Sequence, residues 1–184
     1  MPSNAVSVLT KWRKALPQAY FALLFATCFL IGIGLVLLPP GQRIDEGFSR
    51  LLVRISHAAI GICGGAAAMD GAGAILRSPG GFGVEMRDGC NGINVTILLW
   101  AAILAFPAPW KLKAYGLAVG TLAIQLLNVA RFISLFYLGQ YSATWFEFAH
   151  EYLWETLLIL DTIVVFWLWV GRVSRSGALR HAGD

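Results

Sequence analysis

The chain has 184 residues, 58% of them hydrophobic and only 13% charged. Soluble domains run at about 45–50% apolar and about 25% charged, so this balance excludes a disordered chain and a soluble enzyme. The formal net charge of +4 forms no continuous Lys/Arg stripe, which excludes a nucleic-acid surface, and the length together with a mean hydropathy of +0.68 indicates one membrane-embedded domain, residues 1–184.

Residues 19–38 carry no charge and cover about 30 Å as a helix at ~1.5 Å per residue, the thickness of a hydrocarbon core. Lys11, Arg13 and Lys14 precede this first span as in a signal peptide. The apolar run is too long for one, and Pro39-Pro40 stands where a cleavage site is needed, so an uncleaved anchor is expected. Further apolar runs at 92–106, 114–138 and 152–170 complete a bundle of four transmembrane helices in an all-α integral membrane protein. Lys11, Arg13, Lys14, Lys111, Lys113, Arg172, Arg175 and Arg180 then fall on one face, which the positive-inside rule makes cytoplasmic, with both termini and the tail 171–184. The segment 39–89, in which five Arg are balanced by five acidic residues, faces outward.

Within that outer segment Phe48, Leu51, Leu52, Ile55 and Ala59 share one helical side, and Arg50, Arg54 and His57 the other. This pattern predicts a helix lying in the interface, with His57 solvated. Residues 73–87 surround Ser-Pro-Gly-Gly and predict a short β-hairpin leading into Cys90.

Of the three cysteines, Cys28 reads as a small apolar packing residue. Cys63 and Cys90 face outward, where a disulfide is the plain alternative to a functional thiol. Cys90 stands at the start of the second helix, whose unpaired N–H groups, Asn91 to Asn94, favour a thiolate and can hold an oxyanion. Gly92 would admit a peptide backbone close to the sulfur. Arg131 is the one charge in the third run, and an ionised residue in a span is a functional candidate by default. It lies about 26 Å along the helix from Ala114 at ~1.5 Å per residue, near the outer surface. Thr121, Gln125, Asn128 and Arg131 make one polar stripe pointing into the bundle. His150, just before the last span, is at the same level and suits general acid–base work, with Glu147, Glu151 or Glu155 to orient it. The expected site is therefore Cys90, Arg131 and His150, supported by Gly92, Asn128 and Glu151.

Other chemistries lack their residues. His150-Glu151 opens like a zincin motif, but Trp154 occupies the second His position, and there is no Gly-x-Ser-x-Gly elbow. No metal or other cofactor is expected. Asp161 shares a broad face with Glu155 and His150, which suggests a buried polar network or an ion path.

The stretches GCNGIN at 89–94, LLWAAILAFPAPW at 98–110, LLNVARFISLFYLGQY at 126–141 and FEFAHEYLWE at 146–155 resemble the exosortase/archaeosortase family of membrane transpeptidases, the exosortase H type in particular. The first 88 residues are similar only in plan. The resemblance implies that Cys90 is the nucleophile, Arg131 the catalytic or oxyanion-stabilising Arg and His150 the proton carrier. It also implies partners: exported proteins bearing a C-terminal tripartite signal of short motif, transmembrane helix and basic cluster, for the H type a motif like Ile-Pro-Thr-Leu followed by Trp-Gly. Many members carry Ser five positions after the Cys, where this chain has Val95, so no hydroxyl role carries over. The expected function is a membrane cysteine protease or transpeptidase acting through a thioester at the outer face of a bacterial inner membrane. The rival readings are a non-catalytic membrane scaffold and a small transporter with Asp161, Glu155 and Arg131 as an ion path.

Overall fold

Proline sets the first boundary of the fold. The computed structural model describes residues 3–70, 73–86 and 90–176, with side chains from residue 18 onward. Arg87, Arg180 and the side chains of Lys11, Arg13 and Lys14 lie outside these. Helix α1, Ser3–Leu37, ends at an extended Leu38, and Pro39 and Pro40 open α2, Pro39–Ile62. A proline ring blocks the helix behind it yet suits the first turn of the next, where its missing N–H is not needed.

Among the described residues, three helical segments are long and apolar enough to cross a bilayer: Gln18–Leu37, Trp110–Tyr141 and Ala143–Arg175. The expected second span is instead the short helix α3, Ile93–Ala105, whose 13 residues reach about 20 Å at ~1.5 Å per residue, against a core of about 30 Å. Both ends explain its length. Gly92 has a left-handed φ of +76°, and Phe106 is extended before Pro107. Leu99, Ala101, Ile103 and Ala105 are buried, and the helix packs among α1, α4 (Trp110–Tyr141) and α6 (Trp154–Arg175). Of the four expected spans, three are thus long helices and the second is a short apolar helix packed among them.

Helix α2 is amphipathic, as expected. Its packed side is Asp45, Ser49, Leu52, Val53, Ser56 and Ile60, while Leu51 and Ile55 are about half exposed in a row with Ile44 and Ile62. Asp45, Ser49 and Ser56 thus face the protein beside Leu52, Val53 and Ile60, and an apolar row is left exposed. His57 is partly buried rather than wholly solvated: its Nε2 donates to the carbonyl of Ala67 at 3.0 Å, tying α2 to the loop after it.

The hairpin forms as β2, Ile75–Arg77, and β3, Gly83–Glu85, antiparallel with Leu76 opposite Val84. A two-residue strand β1, Ala68–Met69, joins the far side of β2, giving the order β1-β2-β3. Leu76 and Val84 pack with Leu52, Val53 and Ile60 of α2 and with Phe132 and Phe136 of α4 in one hydrophobic cluster. A second cluster joins Leu99 and Ile103 of α3, Ile124 of α4, and Trp169 and Val173 of α6. Here Gly116 admits the Trp169 indole, whose Nε1 donates to the carbonyl of Leu112 at 2.8 Å. A Cβ at Gly116 would overlap that indole.

Gly116→Val should therefore displace Trp169 and cost about 1–3 kcal/mol, as overpacking does. Thermal unfolding of the purified protein in detergent would show a lowered midpoint; an unchanged midpoint would contradict this packing.

Candidate active site

Helices α3 and α4 run antiparallel and are joined by polar rungs. Trp100 Nε1 donates to Thr121 Oγ1 at 2.8 Å, one turn further Gln125 Nε2 donates to Thr96 Oγ1 at 3.2 Å, and Thr96 Oγ1 donates to the carbonyl of Gly92 at 2.8 Å. Next, Gly92 lies against Gln125 and Asn128. Last, Arg131 Nη2 donates to Cys90 Sγ at 4.0 Å. The stripe Thr121, Gln125, Asn128 and Arg131 points at α3, as expected, and Arg131 is only 7% exposed rather than reaching for the surface. Gly92 shapes the backbone at this point. It supplies the left-handed turn before α3, and the space where a side chain would stand is bounded by Gln125 and Asn128.

Cys90 precedes this turn, held by its neighbour. Asn91 is fully buried; its Nδ2 donates to Asp45 Oδ1 at 2.5 Å and to Ser49 Oγ at 2.9 Å, and its Oδ1 accepts from the Ile93 N–H at 3.1 Å. One amide therefore caps α3 and anchors it to α2. The expected oxyanion donors at the helix start are reduced accordingly, because the Ile93 N–H is engaged by Asn91. Sequence reasoning missed Asn91, Asp45 and Ser49 as a set; the four-residue spacing of Asp45 and Ser49 was the available signal.

His150 reaches the sulfur from the other side, with Nε2 3.7 Å from Cys90 Sγ. It sits in one wider π-helical turn, Ala149–Leu153, between α5 (Ala143–Phe148) and α6. Such turns re-aim side chains within an otherwise regular helix. Its ring stacks on Phe146, with centroids 5.8 Å apart and planes 17° from parallel. Glu147, Glu151 and Glu155 are all exposed, and the expected orienting role of Glu151 has no hydrogen bond to His150 behind it. The side chain stacked on the ring is Phe146.

Cys90, Arg131, His150 and Asn128 line a cavity of about 460 Å³ whose other walls include Gly83 and Val84 of β3, Phe132, Leu135 and Phe146. The cavity thus has a thiol, a guanidinium and an imidazole at one end of an otherwise mixed surface. Such a set can attack a carbonyl, hold the oxyanion formed and return a proton to a leaving group. The other sequence candidates stand apart. Cys28 and Cys63 are free thiols outside this cavity, as Cys90 is a free thiol within it. Asp161 does not line the cavity, and its Oδ2 is buried without a hydrogen-bond partner among the described residues.

A family model described as transmembrane exosortase (EpsH) matches residues 5–170. No curated protein and no solved structure matches the chain.

The Asn91 cradle makes a direct prediction. Asn91→Ala removes the cap of α3 and the donor to Asp45, which should cost about 1–3 kcal/mol and shift Cys90 from its partners. Both the unfolding midpoint and the rate of thiol labelling at Cys90 should change; if both matched the parent protein, the cradle would not be what holds Cys90.

Proposed function

We propose that this chain, which belongs to the transmembrane exosortase family, is a membrane cysteine protease or transpeptidase that cuts the C-terminal sorting signal of exported proteins at Cys90. The observation that carries the reading is the convergence on one sulfur of Arg131 at 4.0 Å and His150 at 3.7 Å, from two different helical segments. Packing alone has no need of a cation and an imidazole around a thiol.

The substrate's apolar tail lies in the bilayer beside the bundle, and its scissile peptide enters the cavity. Cys90 Sγ attacks the carbonyl carbon as its proton passes to His150 Nε2. The carbonyl oxygen becomes an oxyanion facing the guanidinium of Arg131, a nearly buried cation of the cavity wall. The C–N bond then breaks, His150 returns its proton to the leaving amine, and the upstream protein remains as a thioester on Cys90. Water, or an amine or hydroxyl of a membrane or surface acceptor, then takes up the acyl group, with His150 as the base. The cavity opens at the outer face of a bacterial inner membrane and both termini are cytoplasmic, in keeping with the basic residues Lys111, Lys113, Arg172 and Arg175 at the other end of the helices. In this layout α3 carries the chain back from the outer rungs to the loop before Trp110.

Co-expression with a tagged exported protein bearing a C-terminal sorting signal tests this. Cys90→Ala should abolish processing; Arg131→Ala and His150→Ala should each lower its rate by about 10²-fold or more, as loss of an oxyanion donor or a general acid does. Processing by the Cys90→Ala protein at the parent rate would refute the assignment.

A further inference from the structure

Two features of the cavity beside Cys90 have no part in the bond-breaking chemistry. The first is Asn128, a cavity residue only 1% exposed. Neither its Oδ1 nor its Nδ2 has a hydrogen-bond partner among the described residues. An amide left so costs about 1–3 kcal/mol, and native structures seldom keep one without a use. Gln125, one turn away, donates to Thr96, so the stripe's rungs are made on either side of Asn128 but not at it.

The second feature is the edge of the small sheet. The order β1-β2-β3 leaves β3 outermost. Along the β2–β3 ladder the Ser78 N–H donates to the Phe82 carbonyl at 2.8 Å and the Met86 N–H to the Ala74 carbonyl at 3.1 Å. Antiparallel bonding alternates residue by residue. Leu76 and Val84 therefore form the next bonding pair, and Gly83, opposite Arg77, turns its N–H and C=O off the edge of the sheet. Gly83 lines the same cavity as Asn128 and Cys90.

Building on the reading that the sorting signal is cut in this cavity, we propose that the signal's motif is bound there as an extended strand added to β3. Gly83 exchanges backbone hydrogen bonds with the added segment. Asn128 closes on one residue of that extended segment, its Oδ1 accepting from that residue's N–H and its Nδ2 donating to that residue's carbonyl. The ligand class is thus an extended polypeptide recognised largely through its main chain, as in other strand additions, with side-chain choice left to alternate positions along it. Extension also exposes the scissile carbonyl to Cys90, which a helical segment would keep in its own hydrogen bonds. Asn128 acts here as a substrate-binding residue and not in the proton transfers.

Binding to the Cys90→Ala protein in nanodiscs tests the proposal without needing the thiol. The probe is a fluorescent synthetic peptide with the sorting motif, the following apolar helix and its basic cluster. Asn128→Leu should weaken binding by about tenfold, the scale of one or two hydrogen bonds, while its unfolding midpoint stays level or rises because a partnerless amide is gone. Gly83→Pro deletes the edge-facing N–H and no bond of the β2–β3 ladder, and should weaken binding similarly. Independently of any further substitution, hydrogen exchange at residues 82–85 should slow when the peptide binds. Unchanged affinity in Asn128→Leu, or unchanged exchange in the bound state, would overturn the proposal. Loss of processing in Cys90→Ala would still support the catalytic assignment in that event, so the two readings fail separately.

Discussion

The antiparallel seam between α3 and α4 is the constraint on which the rest of the structure depends. A 13-residue helix cannot be positioned by spanning the bilayer. Its placement comes instead from what it touches: Trp100 on Thr121, Thr96 on Gln125, Gly92 against Asn128, and Cys90 facing Arg131. Hydrogen bonds between membrane helices contribute on average only about 0.6 kcal/mol each, so these rungs matter less for stability than for register. Sliding α3 by one residue would turn Thr96 and Trp100 away from α4 and carry Cys90 off Arg131. The apolar cluster of Leu99, Ile103, Ile124 and Trp169 supplies the close packing that the rungs align.

Around this seam the outer part of the protein adds what a helix pair lacks. Helix α2 brings Asp45 and Ser49 beneath Asn91, so the turn bearing Cys90 is tied to a third element. The π turn at Ala149–Leu153 and the stacked Phe146 aim His150 at the sulfur. The sheet, packed through Leu76 and Val84 onto α2 and α4, walls the cavity with β3. The thiol is thereby held from three directions, and each hold is a short-range contact between groups far apart in the chain.

Much of this was legible in the sequence for simple reasons. An apolar run of bilayer length, a basic flank and a four-three-three polar stripe are local patterns, and they located α1, α4, α6 and the meeting of Cys90, Arg131 and His150. What escaped was set by partners distant in sequence. Which side chains of α2 meet the protein depends on Asn91, forty-six residues from Asp45, and is not written in the pattern of α2 itself. The π turn at His150 leaves no periodicity to read, and Glu151, beside it in sequence, faces outward while Phe146 meets the ring. Strand β1, with two residues, is too short to show alternation. The short reach of α3 was implicit in Gly92 and Pro107, whose backbone preferences stop a helix at both ends.

The central claim is that the seam delivers Cys90 as a nucleophile that carries the substrate as a thioester. Intact-mass analysis of the parent protein, rapidly acid-quenched during processing of a tagged exported substrate, tests it most directly. The account predicts a covalent adduct equal in mass to the upstream fragment, mapping to the peptide that contains Cys90 and released by neutral hydroxylamine. Processing that proceeds with no such adduct, and at the same rate after Cys90→Ala, would contradict it.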